Sequence, residues 1–293
     1  MNRWEVRLDQ EGRVCLPTSE ALSGRHLALK LDLNINHPGR AIAAGASSFC
    51  QAYRNAVAAI DSWRLTGTPN QDSSHLAIAA FEVLCYKTAE YIDAYAELPK
   101  SIIAIRSKDG KEKAKNISSV IKSCGRDWSL ICNRIKHNQN VLVATVYSYY
   151  TFPQRLEVFS LLEPIDADML NINPNFHKGR ERSRPFSIAI RQILHDIINI
   201  DRAAARLIKS LPDDPSAPPL PTYSVKLDVT EAMRTVERWP LWVIPTGKST
   251  VDSFTLFENS IQSVRLFATK RHELAKVQFT LHLDGATRRF PLI

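Results

Sequence analysis

Apolar residues recur at a spacing of three to four positions in four segments of the chain, and this period predicts four helices. The first two are predicted at 37–65 and 72–98, the third ends near His137, and the fourth occupies about 185–207. A short turn joins the first two, so they are expected to lie antiparallel. The pattern therefore predicts a four-helix bundle in the middle of the chain.

The hydrophobic period changes from 3.6 residues to two in three places, which predicts strands there. An N-terminal β region is expected at 1–36, a β-hairpin at about 141–162, and a β-rich C-terminal module at 222–293. The hairpin would interrupt the bundle of 37–211, and the proline-rich segment 212–221 reads as a linker because prolines at this density favour extended chain. The predicted fold class is α+β, a bundle with a hairpin insertion flanked by strands.

Composition narrows the class of protein. Lys and Arg number 38 against 30 Asp and Glu, and this positive balance permits binding to phosphate backbones or to an acidic partner. No apolar run is long enough to span a bilayer and no secretory signal pattern opens the chain, so a cytoplasmic protein without membrane contact is expected. The five cysteines form no CxxC pair and the histidines no ligand spacing, so neither a metal nor another cofactor is predicted.

The most informative stretch lies at the end of the third predicted helix. Asn133 and His137 are four residues apart and therefore share one helical face, away from the apolar stripe through Trp128, Ile131 and Ile135. This arrangement resembles the motif of HEPN domains, in which an arginine, commonly followed by asparagine, precedes a histidine with four to six residues between. The order of predicted elements over roughly 37–211 is similar as well.

The resemblance implies metal-independent RNA cleavage, in which the histidine assists attack by the ribose 2′-hydroxyl and the arginine steadies the phosphate charge. The candidate catalytic residues are His137, Asn133 and Arg134. One position departs from the family pattern, because Cys132 stands where the motif arginine is expected. Arg134 is too close to His137 to restore the spacing, and a cysteine offers no guanidinium fork to phosphate.

Basic residues around the motif are the candidate nucleic-acid contacts. They are Arg134, Lys136, Lys111, Lys113, Lys115, Arg180, Arg182 and Arg184. HEPN sites are typically assembled across two bundles, so a homodimer or larger assembly through the third and fourth predicted helices, or a partner protein, is expected.

The leading interpretation is a HEPN-like protein that binds RNA or protein and has lost standard cleavage, in a bacterial antiviral defence or toxin-like system. An active metal-independent endoribonuclease using His137 and a structural assembly protein are the alternatives.

Overall fold

A computed structural model of the chain describes ten segments. They are residues 5–29, 37–66, 71–149, 152–165, 170–177, 183–239, 250–256, 260–267, 278–283 and 286–291. These residues form helices together with small antiparallel sheets, so the predicted α+β class is confirmed. In the described residues no helix is long and apolar enough to cross a membrane.

Four long helices lie within a few residues of the positions that the hydrophobic period predicts. The helices of the described segments are α1 (Pro17–Leu22), α2 (Pro38–Leu65), α3 (Gln71–Ser101), α4 (Lys108–Asn138), α5 (Phe186–Ser210) and α6 (Thr230–Glu237), with a 3-10 turn at Ile103–Arg106. The short helices α1 and α6 were not predicted. Toward the end of the β region expected at 1–36, Leu29 forms an isolated bridge with Ile102, and 30–36 lie outside the described residues.

Helix α4, which carries the motif, has a defined start and end. The Ser107 hydroxyl accepts a hydrogen bond from the amide of Gly110 at 3.0 Å and so caps the first turn. At the other end Gln139 adopts the left-handed conformation with φ of 53°, and its amide donates to the carbonyl of Arg134. The amide of Asn140 donates to the same carbonyl at 3.3 Å. These bonds satisfy terminal carbonyl groups and stop the helix just after His137.

Helix α5 is the centre of the core. Most of its residues are buried, including the polar side chains of Arg191, His195, Asp196 and Asp201, and the exposed residues within it are confined to its last turns. At its start Phe186 packs edge-on against Phe81 of α3, with ring centroids 5.0 Å apart, and against Phe159 of the neighbouring sheet at 5.1 Å. Trp63 of α2 completes this aromatic cluster from the other side of Phe186. Burial of such large rings is the main stabilising term for the bundle.

The described strands form four small antiparallel sheets. Their bounds are β1 (Glu5–Arg7), β2 (Val14–Cys15), β3 (Val141–Tyr149), β4 (Phe152–Pro164), β5 (Leu170–Ile172), β6 (Arg184–Pro185), β7 (Lys226–Leu227), β8 (Thr250–Leu256), β9 (Ser260–Phe267), β10 (Gln278–Leu283) and β11 (Ala286–Pro291). Strands β3 and β4 pair between α4 and α5, and β4 also pairs with β5 and β6. Strand β10 pairs with β11.

The remaining sheets join the two ends of the chain. Strand β1 pairs with β9 beside β8, and β2 pairs with β7, so strands from 1–36 and 222–293 share sheets. The proline-rich segment also contacts the N-terminal region. The Arg25 side chain donates to Asp213 at 2.7 Å, and the Arg25 carbonyl accepts a hydrogen bond from the amide of Leu220 at 2.8 Å. Hydrophobic period locates strands but carries no information about their distant partners, which is why this pairing was not predicted.

Candidate nucleic-acid interface

The last turns of α4 bring the predicted motif residues to the surface. Asn133 and His137 are exposed and one turn apart on the same face, as their spacing predicts. Arg134 is half-buried and points about 100° around the helix from Asn133. The structure therefore brings Asn133 and His137 together and places the side chain of Arg134 off to one side of them.

Cys132, at the position of the expected motif arginine, faces the interior. Its side chain is buried between α4 and α3, where Cys85 is its neighbour. Burial raises the pKa of the Cys132 thiol to about 12, so it stays neutral at physiological pH. A thiol in this state is neither a nucleophile nor a phosphate ligand. An arginine here would place its guanidinium among core side chains, away from the face that carries Asn133 and His137.

Lys136 is exposed but already has a contact within the bundle. Its ammonium group lies over the ring of Tyr86 in α3, 4.8 Å from the ring centroid. It also acts electrostatically on Asp93 of α3, where it opposes the rise in pKa that burial causes. Lys136 is therefore directed toward α3 rather than toward the face of Asn133 and His137.

Helix α4 concentrates the positive charge of the chain. It contains eight Lys and Arg residues against three Asp and Glu residues, while the whole chain has a net charge of +8. Seven exposed residues of α4 project within an arc of about 80° at 3.6 residues per turn, along about 43 Å of helix at 1.5 Å per residue. We call this set the α4 stripe, and it consists of Lys108, Lys111, Lys115, Lys122, Arg126, Asn133 and His137.

Two of the three acidic residues of α4 are occupied away from the stripe. Asp109 pairs with Lys113 at 2.6 Å, and Asp127 pairs with Arg184 at 2.6 Å. Among the described residues, none of the five cations of the α4 stripe has an ion-pair partner within 4 Å. The third acidic residue, Glu112, is exposed about 20° beyond the edge of the stripe. The five cations outnumber it, so the stripe has an excess of positive charge, which favours binding of a phosphate backbone.

Apart from Arg134 and Lys136, the predicted nucleic-acid contacts fall into three groups. Lys111 and Lys115 lie on the stripe. Lys113, which also donates to the carbonyl of Ser210 at 3.3 Å, and Arg184, which stacks on Phe176 at 4.2 Å, are engaged within the fold. The predicted contacts Arg180 and Arg182 lie outside the described residues. Lys108 and Arg126 were not among the predicted contacts, although their helical angle relative to Asn133 is visible in the sequence.

The described segments do not support a metal site. They contain no group of three or more His, Cys, Asp and Glu side chains placed to hold a metal ion. Comparison of the chain with protein-family models, with curated proteins and with solved structures finds no match. The geometry and charge of α4 are therefore the features that bear on function.

Proposed function

We propose that this chain is a HEPN-like RNA-binding protein that has lost standard ribonuclease chemistry and acts in a bacterial defence or toxin-like system. The order of helices and strands supports the HEPN-like fold. The long helices α2 and α3 pack as a pair, α4 carries the Asn133 and His137 motif, the strands β3 and β4 follow, and α5 closes the bundle. The defence setting is what the resemblance implies.

The observation that carries RNA binding is the excess of positive charge on the α4 stripe. Its cations are spaced one or two helical turns apart along one face, so they can contact several phosphates of an extended strand. Asn133 and His137 continue the same face and add groups that hydrogen-bond ribose or phosphate oxygens. Backbone contacts of this kind give affinity with little sequence preference.

The inward direction of Cys132 supports the proposed loss of cleavage. A HEPN-type mechanism needs a guanidinium beside the scissile phosphate, and the position for it holds a neutral, buried thiol. His137 retains the exposed place of the general acid or base but lacks the phosphate clamp from its own chain.

The test is equilibrium binding of a fluorescent single-stranded RNA to the protein and to a triple variant, Lys115→Glu with Lys122→Glu and Arg126→Glu. We expect the variant to bind at least about a hundredfold more weakly, since it loses three phosphate contacts and gains repulsion. A matched control reverses three exposed cations outside α4, Lys100, Arg234 and Arg238. Equal weakening by both variants would show that only net charge matters and would refute the stripe.

An active metal-independent endoribonuclease is the second candidate. Asn133 and His137 are exposed on one face of α4, and Arg126 lies on the same face two turns before Asn133. This arrangement favours the second candidate. Total RNA incubated with the purified protein in the presence of a chelator separates the two functions. The binding proposal expects intact RNA, whereas cleavage that His137→Ala abolishes with the fold retained would establish the enzyme. If no RNA binds, the alternative of a structural assembly protein is favoured.

A further inference from the structure

A second site lies on the side of α2 where the segment after the proline-rich stretch runs past it. The two elements leave an open cleft of about 390 Å³. This volume lies within the range of pockets that hold small molecules. None of the α4 stripe residues lines it.

Small side chains on one face of α2 keep the cleft open. Ala43, Ala46, Ser47 and Cys50 form its floor at successive turns of the helix. Burial raises the pKa of the Cys50 thiol to about 11, so Cys50 is a neutral, weakly polar part of the floor and not a nucleophile. The floor therefore offers an apolar contact to the organic part of a ligand.

Three cations and one anion stand around this floor. Arg13, Arg54 and Lys226 line the cleft together with Asp228, which pairs with Arg54. Asp9 holds the other two cations in place, because its carboxylate contacts Arg13 at 2.9 Å and Lys226 at 2.8 Å.

The two cations held by Asp9 keep donors for a ligand. One of the three N–H groups of Lys226 donates to Asp9. Arg13 donates its Nε to Asp9 and one Nη to the exposed Glu11 at 2.8 Å. Both side chains also line the cleft, so their remaining donors are available there.

We propose that this cleft binds a small phosphate monoester, with the phosphate held by Arg13 and Lys226 and the organic part resting on the α2 floor. Arg13 and Lys226 share the carboxylate of Asp9, and Arg13 also contacts the exposed Glu11. Their remaining N–H groups can donate to phosphate oxygens, which a guanidinium binds bidentately. The volume exceeds the need of a bare phosphate ion, and this excess together with the apolar floor favours an ester. The site is independent of RNA binding by the α4 stripe.

Isothermal titration of the purified protein with inorganic phosphate, ribose 5-phosphate and adenosine 5′-monophosphate tests the proposal. We expect at least one ester to bind with a Kd below about 1 mM and more tightly than inorganic phosphate. Lys226→Gln is expected to weaken that binding about tenfold or more, because it removes a charge-assisted contact. The stripe variant with Lys115, Lys122 and Arg126 reversed should bind the ester unchanged.

A pair of tryptophan variants provides the control for position. Ser47 and Ser48 are adjacent and both exposed, but only Ser47 is among the residues that line the described cleft. Ser47→Trp fills the cleft without changing charge and should abolish ester binding, whereas Ser48→Trp should leave it intact, with thermal unfolding confirming both folds. The proposal is overturned if neither ester binds, if inorganic phosphate binds most tightly, or if Lys226→Gln or Ser47→Trp leaves affinity unchanged.

Discussion

Replacement of Cys132 by arginine restores the residue expected from the HEPN motif, and the structure predicts that it destabilises the fold without creating a ribonuclease. Cys132 is 4% exposed and packs toward α3. An arginine side chain there must either lose hydration in the core or force α3 and α4 apart. The phosphate clamp would in neither case reach the face of Asn133 and His137.

The magnitude follows from the cost of an uncompensated buried charge. Leaving such a charge in a protein interior costs about 3–5 kcal/mol. Glu82 and Glu90 of α3 act on the Cys132 position and would offset part of this cost, as would extension of the long side chain toward solvent. We expect a net loss of about 3 kcal/mol in the free energy of unfolding, a large share of the roughly 5–15 kcal/mol typical of domains.

Urea unfolding followed by circular dichroism measures this loss, and the neighbouring position supplies the control. Asn133→Arg adds the same side chain at an exposed position of the same helix and should change stability by no more than about 0.5 kcal/mol. Incubation of both variants with RNA and a chelator should give no cleavage. A Cys132→Arg protein as stable as Asn133→Arg, or one that cleaves RNA, would refute the inward orientation and the argument built on it.

Three further predictions concern the core and association. Burial raises the pKa of Asp201 from 3.8 to about 6, so the folded protein retains a proton between these values that the unfolded chain has lost. The free energy of unfolding should therefore fall by about 3 kcal/mol as pH rises through this window, and Asp201→Asn should remove that fall in urea titrations; identical pH profiles would contradict it. His177 accepts from the amide of Leu161 at 2.9 Å, so His177→Ala should lower the free energy of unfolding by about 1–3 kcal/mol, and an unchanged urea midpoint would argue against this bond. Light scattering at micromolar concentration should give at least twice 33.0 kDa, and a strict monomer would oppose the expected homodimer.

The long helices were predictable because each buries a stripe that repeats over many turns. Helices α1 and α6 have six and eight residues, too few for the period to stand out from the surrounding pattern. Strand pairing between the chain ends was not predictable either, since β1 and β9 are joined only through tertiary packing.

The site shows the same division between local and distant information. The shared face of Asn133 and His137 follows from their spacing on α4. The pairing of Arg184 with Asp127 depends on how strand β6 meets α4, and the sequence pattern carries no sign of it. The small residues of the α2 floor are visible in the sequence, but their meaning depends on the segment that runs past them.

The salt dependence of RNA binding tests the central claim most directly. For single strands the logarithm of the association constant falls with the logarithm of salt concentration by about 0.7 per phosphate contacted. If the α4 stripe binds the backbone, reversing Lys115, Lys122 and Arg126 should reduce the slope by about 2, while the control variant at Lys100, Arg234 and Arg238 keeps the slope of the unmodified protein. Equal slopes for the protein and the stripe variant would contradict the account.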